Sequence, residues 1–390
     1  MKNALLLVSI GVLFLSGCSK PTKYSYVISN VGFFDGYEDR GIVNLGINND
    51  TISVISKKEL SSDSILDGSG KYLIPGLVNS HVHAWKDEHL KEAYNAGVLA
   101  LMNMHSGSYE RDDNMKAFSK LEGHSFYYTS GTGATVPGGH PGSVVSGTFE
   151  TINDTLSVYQ WADRRFAEDV DYIKIFRDNR PLRTHMPKLP FDSIKKLVDY
   201  THEKGKKAVV HATTVDEFKT IAKYKPDGFV HDIRVKGYVY EPDLLDEIKS
   251  SGAFVCPTAT FTVKAYDIFT PKDTLAYNYL IKPSPTPQTI MNNIKLLFDA
   301  GITIVAGTDV GGPPYLNWGD DLLYELNIYS KAGLPNLEVL RTATGYAANA
   351  WDIPIGVLEV GSKLNMILLN GNPIENLENL KNIEHIWKTE

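Results

Sequence analysis

Two histidines separated by one residue, His81 and His83, are the clearest chemical feature of this chain, and they lie in the apolar segment LIPGLVNSHVHAW, residues 73–85. If this segment is a strand, alternate side chains share one face, so both imidazoles could bind the same metal ion. An HxH pair alone is weak evidence, because histidines also occur as hydrogen-bonded core residues. The case for a metal site therefore depends on whether other potential ligands lie close to these two histidines.

Later apolar segments each bring another residue able to bind a metal. These residues are Lys174 in DYIKIF, His211 in AVVHAT, His231 in GFVHDI and Asp309 in IVAGTDVGG. Taken singly, each has a structural explanation, such as a buried salt bridge or a turn cap. If the segments are parallel strands of one barrel, their carboxyl ends meet at one face. A donor set of imidazole and carboxylate without thiolate then favours Zn²⁺, while Mn²⁺, Fe²⁺ and Co²⁺ remain compatible.

The alternation of elements predicts the fold that would position these residues. From Leu73 onward, apolar runs alternate with amphipathic stretches of about a dozen residues, which is typical of parallel strand and helix units. We predict an α/β fold in which residues 73–351 form a (β/α)8 TIM-type barrel. Further strands are predicted at residues 98–105, 125–129, 172–176, 207–213, 228–232, 253–258 and 303–309, and helices at 191–204 and 242–251.

The two ends of the chain show a different pattern. Residues 24–72 and 352–390 contain short strand-like pieces separated by Gly, Asn and Asp, which predicts one small β-sandwich domain built from both ends. Within the barrel region, the long connections 131–147 and 261–288 are candidate walls of a substrate pocket.

The first residues have the form of an export signal. Lys2 is followed by an apolar run that is too short to span a bilayer permanently. Residues 15–18, LSGC, resemble a bacterial lipoprotein box, which implies a signal peptide at 1–17, acylation of Cys18 and a tether at 18–23. We therefore expect a lipid-anchored protein outside the cytoplasm, in the periplasm or at the outer membrane. The alternative is an ordinary signal peptide in which this cysteine is incidental, and Cys256 has no disulfide partner in either case.

Composition limits the classes of partner. The 390 residues, 43% of them hydrophobic, can form one large domain and a smaller one. A net charge of -7 without a basic block makes nucleic acid an unexpected partner. We expect a small-molecule substrate, and a homo-oligomer is compatible with the sequence.

With these motifs, the chain resembles the amidohydrolase superfamily, over the barrel region and both flanking segments. The late segment LRTATGYAANAWDI and the following IGVLEVGSKLNMILLNG also carry the likeness. Within the superfamily, the chain is most similar to the imidazolonepropionase-related group, which includes metal-dependent prolidase-like dipeptidases. The resemblance implies two divalent metal ions. One would be held by His81, His83 and Asp309, the other by His211 and His231, with the carbamate formed from Lys174 and CO₂ bridging them.

This ligand set makes chemical sense independently of the family. A carbamylated lysine is an anionic carboxylate that can span two cations, whereas an ammonium would repel them. The metals would activate a water as hydroxide and polarise the scissile carbonyl, and Asp309 could pass the proton to the leaving amine. The sequence departs from the common family pattern at Val230 and Asp232, which flank His231, and at Arg177 and Asp178. Because none of these four positions supplies a metal ligand, the departures bear on which substrate is bound more than on the reaction.

Three residues are candidates for substrate binding. His140 lies in the loop VPGGHPGS, where similar prolidase-like enzymes present a histidine to substrate. Arg177 could hold a carboxylate through two hydrogen bonds, as could Arg180 or Arg183 in the same loop. Tyr238 could donate to an oxyanion or form part of the cleft wall, and Tyr240 has the same alternatives.

The leading hypothesis is a metal-dependent hydrolase that cleaves an amide or peptide bond of a small molecule, such as a dipeptide or an N-acyl amino acid. A second hypothesis is a cyclic amidohydrolase or a mononuclear deaminase. Deaminases typically use a carboxylic acid just after the third metal histidine, and the nearest acids after His211 are Asp216 and Glu217. A third is a catalytically silent solute-binding lipoprotein, although no ligand is missing from the set.

Overall fold

The computed structural model describes residues 23–142, 148–269, 272, 275 and 277–390. The predicted signal peptide, Cys18 and most of the tether lie outside the described residues, as do residues 143–147 of the first long loop. Within the described part, no helix has both the length and the hydropathy needed to cross a membrane.

Both ends of the chain contribute strands to one sheet. The strands of this region are β1 (Lys23–Tyr24), β2 (Tyr26–Phe34), β3 (Asp39–Asn48), β4 (Thr51–Ser56), β5 (Ser61–Ser62), β6 (Ile65–Asp67), β7 (Tyr72–Pro75), β15 (Met366–Leu369) and β16 (Ile383–Trp387). Seven of them pair in the order β16-β15-β7-β2-β3-β4, with β6 beside β2, while β1 pairs with β5. Buried residues such as Ile28, Leu45 and Met366 form the apolar core of this region. The antiparallel pairing of β15 with β7 therefore attaches the C-terminal segment to the N-terminal one.

The middle of the chain alternates parallel strands with helices. Its strands are β8 (Leu77–Val82), β9 (Val98–Asn103), β10 (Phe126–Thr129), β11 (Tyr172–Phe176), β12 (Lys207–His211), β13 (Gly228–Val230) and β14 (Phe254–Cys256). Its α-helices are α1 (Asp87–Asn95), α2 (Tyr109–Ser119), α3 (Val158–Ala167), α4 (Phe191–Glu203), α5 (Val215–Ala222), α6 (Pro242–Ser251), α7 (Ala259–Ile268), α8 (Pro287–Asp299), α9 (Asp321–Lys331), α10 (Asn336–Thr342) and α11 (Gly345–Trp351). Shorter helical turns occur at Pro181–Arg183, Tyr277–Ile281 and Leu377–Lys381.

Parallel pairing connects these strands as two sheets, β10-β9-β8 and β11-β12-β13-β14. Isolated parallel bridges join the sheets to the segments between them: Ala134 with Ile175, Val255 with Ile304, and Val310 with Val82. All residues of β8, β9 and β11 are buried, which is why these strands read as continuous apolar runs in the sequence.

The predicted strand at 303–309 is not a regular strand. It pairs through the bridges at Ile304 and Val310, and the backbone N–H groups of Thr308 and Asp309 both donate to the carbonyl of His81. Asp309 has a φ of +64°, which turns the backbone out of the extended conformation. At Gly307, a Cβ atom would lie 2.8 Å from the His81 nitrogen, so only glycine permits this approach.

Candidate active site

The carboxyl end of β8 presents the HxH pair to Asp309. His81 is the fifth residue of β8 and His83 follows the strand. The Nε2 atoms of His81 and His83 lie 3.3 and 3.2 Å from Asp309 Oδ1. The three ligand atoms all lie within 4.8 Å of one another and form a group that could hold one metal ion.

The protonation states of this group suit a cation. Burial, together with the charge of the nearby Lys174, lowers the pKa of His81 to about 3, so the imidazole is neutral. Burial alone would raise the pKa of Asp309, but attraction and hydrogen bonds from His81 and His83 outweigh it and hold that pKa well below its usual range. A neutral imidazole and an ionised carboxylate are the forms that bind a metal.

The next strands bring the other predicted ligands to the same place. His211 is the last residue of β12 and pairs with Phe176 of β11 and Val230 of β13. His231 directly follows Val230, so it lies at the same carboxyl end of the sheet as His211. The ring centroids of His211 and His231 are 4.3 Å apart, and those of His81 and His231 are 4.7 Å apart. The imidazole of His231 is thus in contact with those of both His81 and His211.

Lys174 lies in the middle of β11, where it is fully buried. Its Nζ atom has no hydrogen-bond partner among the described residues, and it lies 5.0 Å from the centre of the Phe176 ring. Burial lowers the pKa of this amine to about 7. Its charge lowers the pKa of both His81 and His211, which places it close to both.

These observations fit the divalent metals that the resemblance implies. The site combines neutral imidazoles, an ionised carboxylate and a buried lysine nitrogen without a partner, and thiolate is absent from this donor set. A buried amine without a hydrogen bond is costly unless something else satisfies it. A carbamate on Lys174 that contacts a metal would do so.

A second cluster lies next to His211. Its members, His140, Asp178 and His211, have ligand atoms within 4.8 Å of one another and could also hold a cation. However, the Asp178 carboxylate accepts hydrogen bonds from Arg180 and Arg183 and lies 3.3 Å from His211 Nε2. Because guanidinium groups already neutralise this carboxylate, the cluster is better suited to orient His211 than to bind an additional metal.

Arg234 is a residue that the sequence analysis missed. Its guanidinium is buried, and its Nη2 atom lies 3.0 Å from His231 Nδ1 and donates to Thr258 Oγ1 at 2.9 Å. The same nitrogen is 4.0 Å from Asp309 Oδ2. The sequence feature that could have pointed to Arg234 is its position three residues after the predicted ligand His231.

A cavity of about 380 Å³ opens above these residues. Aromatic and proline side chains make up much of its wall: Trp85, Pro141, Phe176, Phe261, Phe269, Pro313, Pro314 and Tyr315. The polar part of the lining consists of the site histidines, Asp309 and three arginines, at positions 180, 183 and 234. This combination suits a small, largely apolar ligand that is held by a few polar contacts.

The predicted substrate-binding residues have different positions. His140 lines the cavity, where its Nδ1 atom contacts Arg183. Arg177 instead stacks on Phe191, with its guanidinium carbon 3.8 Å from the ring centroid, and its Nε lies 3.7 Å from Glu217 Oε1. Its side chain is therefore directed away from the cavity, because successive residues of an extended segment point to opposite sides.

Tyr238 also lies outside the described lining, and its ring packs 6.0 Å from that of Tyr240. The carboxylate that a deaminase would need is not presented to the cavity either. Glu217 caps α5 by accepting hydrogen bonds from the backbone N–H groups of Thr213 and Thr214, and Asp216 is exposed.

Comparisons with known proteins found similar sequences and similar structures. In sequence, the chain is 23% identical over 399 residues to the 5-methylthioadenosine/S-adenosylhomocysteine deaminase of Thermoanaerobacter pseudethanolicus, covering 88% of this chain and 85% of that protein.

Three solved structures share the fold. A Xaa-Pro dipeptidase with methionine bound in its active site is 18% identical, with a TM-score of 0.78 over 93% of this chain and 98% of that one. The ochratoxinase of A. niger is 17% identical with a TM-score of 0.75, over 93% and 94% of the two chains. Molinate hydrolase is 16% identical with a TM-score of 0.75, over 94% and 93%.

The family model for amidohydrolases matches residues 164–389, which include Lys174, His211, His231 and Asp309. Because this match spans more than half of the chain, the protein belongs to the amidohydrolase family and is a hydrolytic enzyme that acts on carbon–nitrogen bonds.

Proposed function

We propose that this protein is a metal-dependent hydrolase that cleaves an amide or peptide bond of a small molecule, either a dipeptide or an N-acyl amino acid. The observation that carries the proposal is the convergence of His81, His83 and Asp309 with the contacting imidazoles of His211 and His231 at the base of one cavity.

The proposed scaffold is a (β/α)8 barrel that spans residues 73–351. The parallel order β8, β9, β10 and the order β11 to β14 support it. The bridges at Ala134, Ile304 and Val310 supply the connections that would close the ring. Such a barrel explains why residues far apart in sequence meet at one end.

The predicted ligand set would hold two divalent cations, with zinc as the expected metal. His81, His83 and Asp309 would hold one, His211 and His231 the other, and the carbamate of Lys174 would bridge them. When bound, such ions supply a nucleophilic water at neutral pH and polarise the scissile carbonyl. The buried Nζ of Lys174, which has no hydrogen-bond partner within the described ranges, supports the carbamate.

Asp309 is the proposed proton carrier. Its low pKa keeps it ionised, so that its carboxylate can accept a proton during attack on the carbonyl and donate it to the departing nitrogen. The imidazoles of His81 and His83 hold Oδ1, while Oδ2 faces Arg234. The aromatic side chains of the wall would limit access of water to a bound substrate, which would strengthen these electrostatic contacts.

We further propose that the mature protein is attached to a bacterial membrane through an acylated Cys18, outside the cytoplasm. The support is the sequence LSGC at residues 15–18. A Cys18→Ser variant should move from the membrane fraction to the soluble fraction of cells, whereas Cys256→Ser should not. Retention of Cys18→Ser in the membrane fraction would contradict lipid anchoring.

The deaminase alternative deserves a direct test because a deaminase is among the relatives. A mononuclear enzyme would contain one metal equivalent per chain, and the proposed hydrolase would contain two. The position of Glu217, in the cap of α5, favours the hydrolase.

The decisive experiment combines metal analysis with activity. We expect zinc-loaded protein to contain two equivalents per chain and to release amines from a panel of dipeptides and N-acyl amino acids. Asp309→Asn should lower kcat by at least about 100-fold, while the exposed control Asp320→Asn should retain it. Fully metal-loaded protein that hydrolyses neither class would contradict the proposal, and binding without turnover would support a silent solute-binding protein.

A further inference from the structure

The cavity above the metal ligands is rich in hydrogen-bond donors and poor in acceptors. Its described lining contains Arg180, Arg183 and Arg234, but Asp309 is the one carboxylate in it. Asp309 is already engaged by His81 and His83. A ligand that carries a positively charged amine would therefore find no uncommitted carboxylate in the described wall.

Asp178 does not provide a free carboxylate for an amine either. It lies below the lining, where Arg180 donates to both of its oxygens and Arg183 and Thr213 donate to it as well. The contacts with Asp178 use the Nε and Nη2 atoms of Arg180 and hold its guanidinium in place at the cavity wall. A preorganised guanidinium of this kind is well suited to bind a carboxylate, because the cost of ordering the side chain has already been met.

His105 adds a neutral donor on the same wall. The backbone N–H of Gly133 donates to His105 Nδ1 at 3.0 Å, so the proton of the neutral ring is on Nε2. Burial lowers the pKa of His105 to about 3, which keeps the ring neutral. Only 1% of the residue is exposed, and Nε2 has no hydrogen-bond partner among the described residues. Because His105 lines the cavity, a bound ligand is a candidate partner for this unsatisfied N–H.

The rest of the wall is apolar. Trp85, Phe261, Phe269 and Tyr315 offer ring surfaces. The ring of His105 itself packs edge-on against Phe149 and Phe176. A ligand with one anionic group and one apolar group would thus satisfy the donors and cover the rings at the same time.

From these contacts we infer that the substrate is an N-acyl amino acid with an apolar side chain and a free carboxylate, and not a dipeptide with a free amino terminus. This inference rests on the proposed function, since it chooses between the two substrate classes given there. The guanidinium groups of Arg180 and Arg183 bind the carboxylate, His105 Nε2 donates to an acyl or carboxylate oxygen, and the aromatic wall holds the side chain.

Binding can be tested without turnover using three compounds that share a phenylpropyl group, namely 3-phenylpropanoate, 3-phenylpropanol and 3-phenylpropylamine. Calorimetry on metal-free wild-type protein should show the carboxylate binding about 10- to 100-fold more tightly than the alcohol, as expected for hydrogen bonds to a charged group. The amine should bind no more tightly than the alcohol.

Charge-removing variants locate the carboxylate. Arg180→Gln and Arg183→Gln should each lower the preference for carboxylate over alcohol to less than about threefold. The control Lys196→Gln, which removes an exposed charge on α4, should keep the full preference. Equal binding of amine and carboxylate, or a preference that survives in both arginine variants, would overturn the inference. The ranking of the three compounds by the wild-type protein decides the point even if a variant fails to fold.

Hydrolysis separates this inference from the proposed function. Zinc-loaded enzyme should cleave N-acetyl-L-phenylalanine with a kcat/KM at least about tenfold higher than glycyl-L-phenylalanine or N-acetyl-L-phenylalaninamide. Equal or faster cleavage of the dipeptide would refute the inference and leave the proposed function intact. Cleavage of none of them, together with selective binding of the carboxylate, would refute the proposed hydrolysis and leave the assignment of the pocket's ligand intact.

Discussion

The buried amine of Lys174 should cost the metal-free protein stability that methionine at this position would recover. Burial lowers the pKa of Lys174 from 10.5 to about 7, and Nζ has no hydrogen-bond partner in the part of the chain that the structure describes. A difference of this size corresponds to a penalty of up to about 5 kcal/mol near pH 7. Methionine has a similar length and no charge, so we expect Lys174→Met to raise the free energy of unfolding by about 1–4 kcal/mol without metal.

The effect of Lys174 on stability should depend on pH. Between pH 7 and 10.5 the unfolded chain binds a proton at this amine that the folded chain does not, so the stability of metal-free wild type rises with pH in this window. The variant lacks the rise, and its advantage should shrink as the pH approaches the upper limit. In the presence of zinc and bicarbonate the same variant should lose activity and one metal equivalent, because the proposed bridge is gone.

Urea unfolding in the presence of EDTA at about pH 7 and about pH 9 measures the effect, using the linear dependence of the unfolding free energy on denaturant. Lys196→Met, on the exposed face of α4, is the control and should change stability by less than about 0.5 kcal/mol. If Lys174→Met were no more stable than wild type at the lower pH, the amine would not be an uncompensated buried charge, and the reasoning would be refuted.

Three further predictions concern the residues around the site. Arg177→Gln should destabilise the fold by about 1–3 kcal/mol, because the buried carboxylate of Glu217 loses its cationic partner. The kcat/KM of this variant should stay within about threefold of the wild-type value, and a large rise in KM would show that Arg177 binds substrate after all. Glu325→Ala should lower the free energy of unfolding in urea by about 3 kcal/mol, since the buried carboxylate accepts hydrogen bonds from Ala259, Thr260 and Tyr329. Glu325→Gln keeps an acceptor oxygen and should cost less; equal losses in the two variants would argue against these hydrogen bonds as the cause. Finally, burial lowers the pKa of several histidines to about 3, so the unfolded chain takes up protons below pH 6.5 that the folded chain does not. Metal-free protein should lose about 1.4 kcal/mol per such histidine when the pH falls from about 7.5 to about 5.5, and a flat stability profile would contradict their neutrality. The histidines concerned are His81, His105 and His211.

The sequence alone determined the local elements and the types of ligand. Parallel strands are buried on both faces, so their apolar runs predicted β9, β11 and β12 to within a few residues, and the predicted helix at 242–251 coincides with α6. The motifs also predicted the amidohydrolase family, which the family model confirms. Lipid attachment, localisation, metal identity and the carbamate remain predictions.

Only the tertiary structure decided which polar side chains reach the cavity. Arg177 and Arg180 are near neighbours in one loop, yet the first pairs with Glu217 outside the cavity while the second is fixed to Asp178 at its wall. Likewise, the direction in which His105 donates depends on the backbone N–H of Gly133, 28 residues away. Residue type and spacing determine what a side chain can bind, but its orientation depends on partners that long-range packing brings close, and a single sequence does not record those contacts.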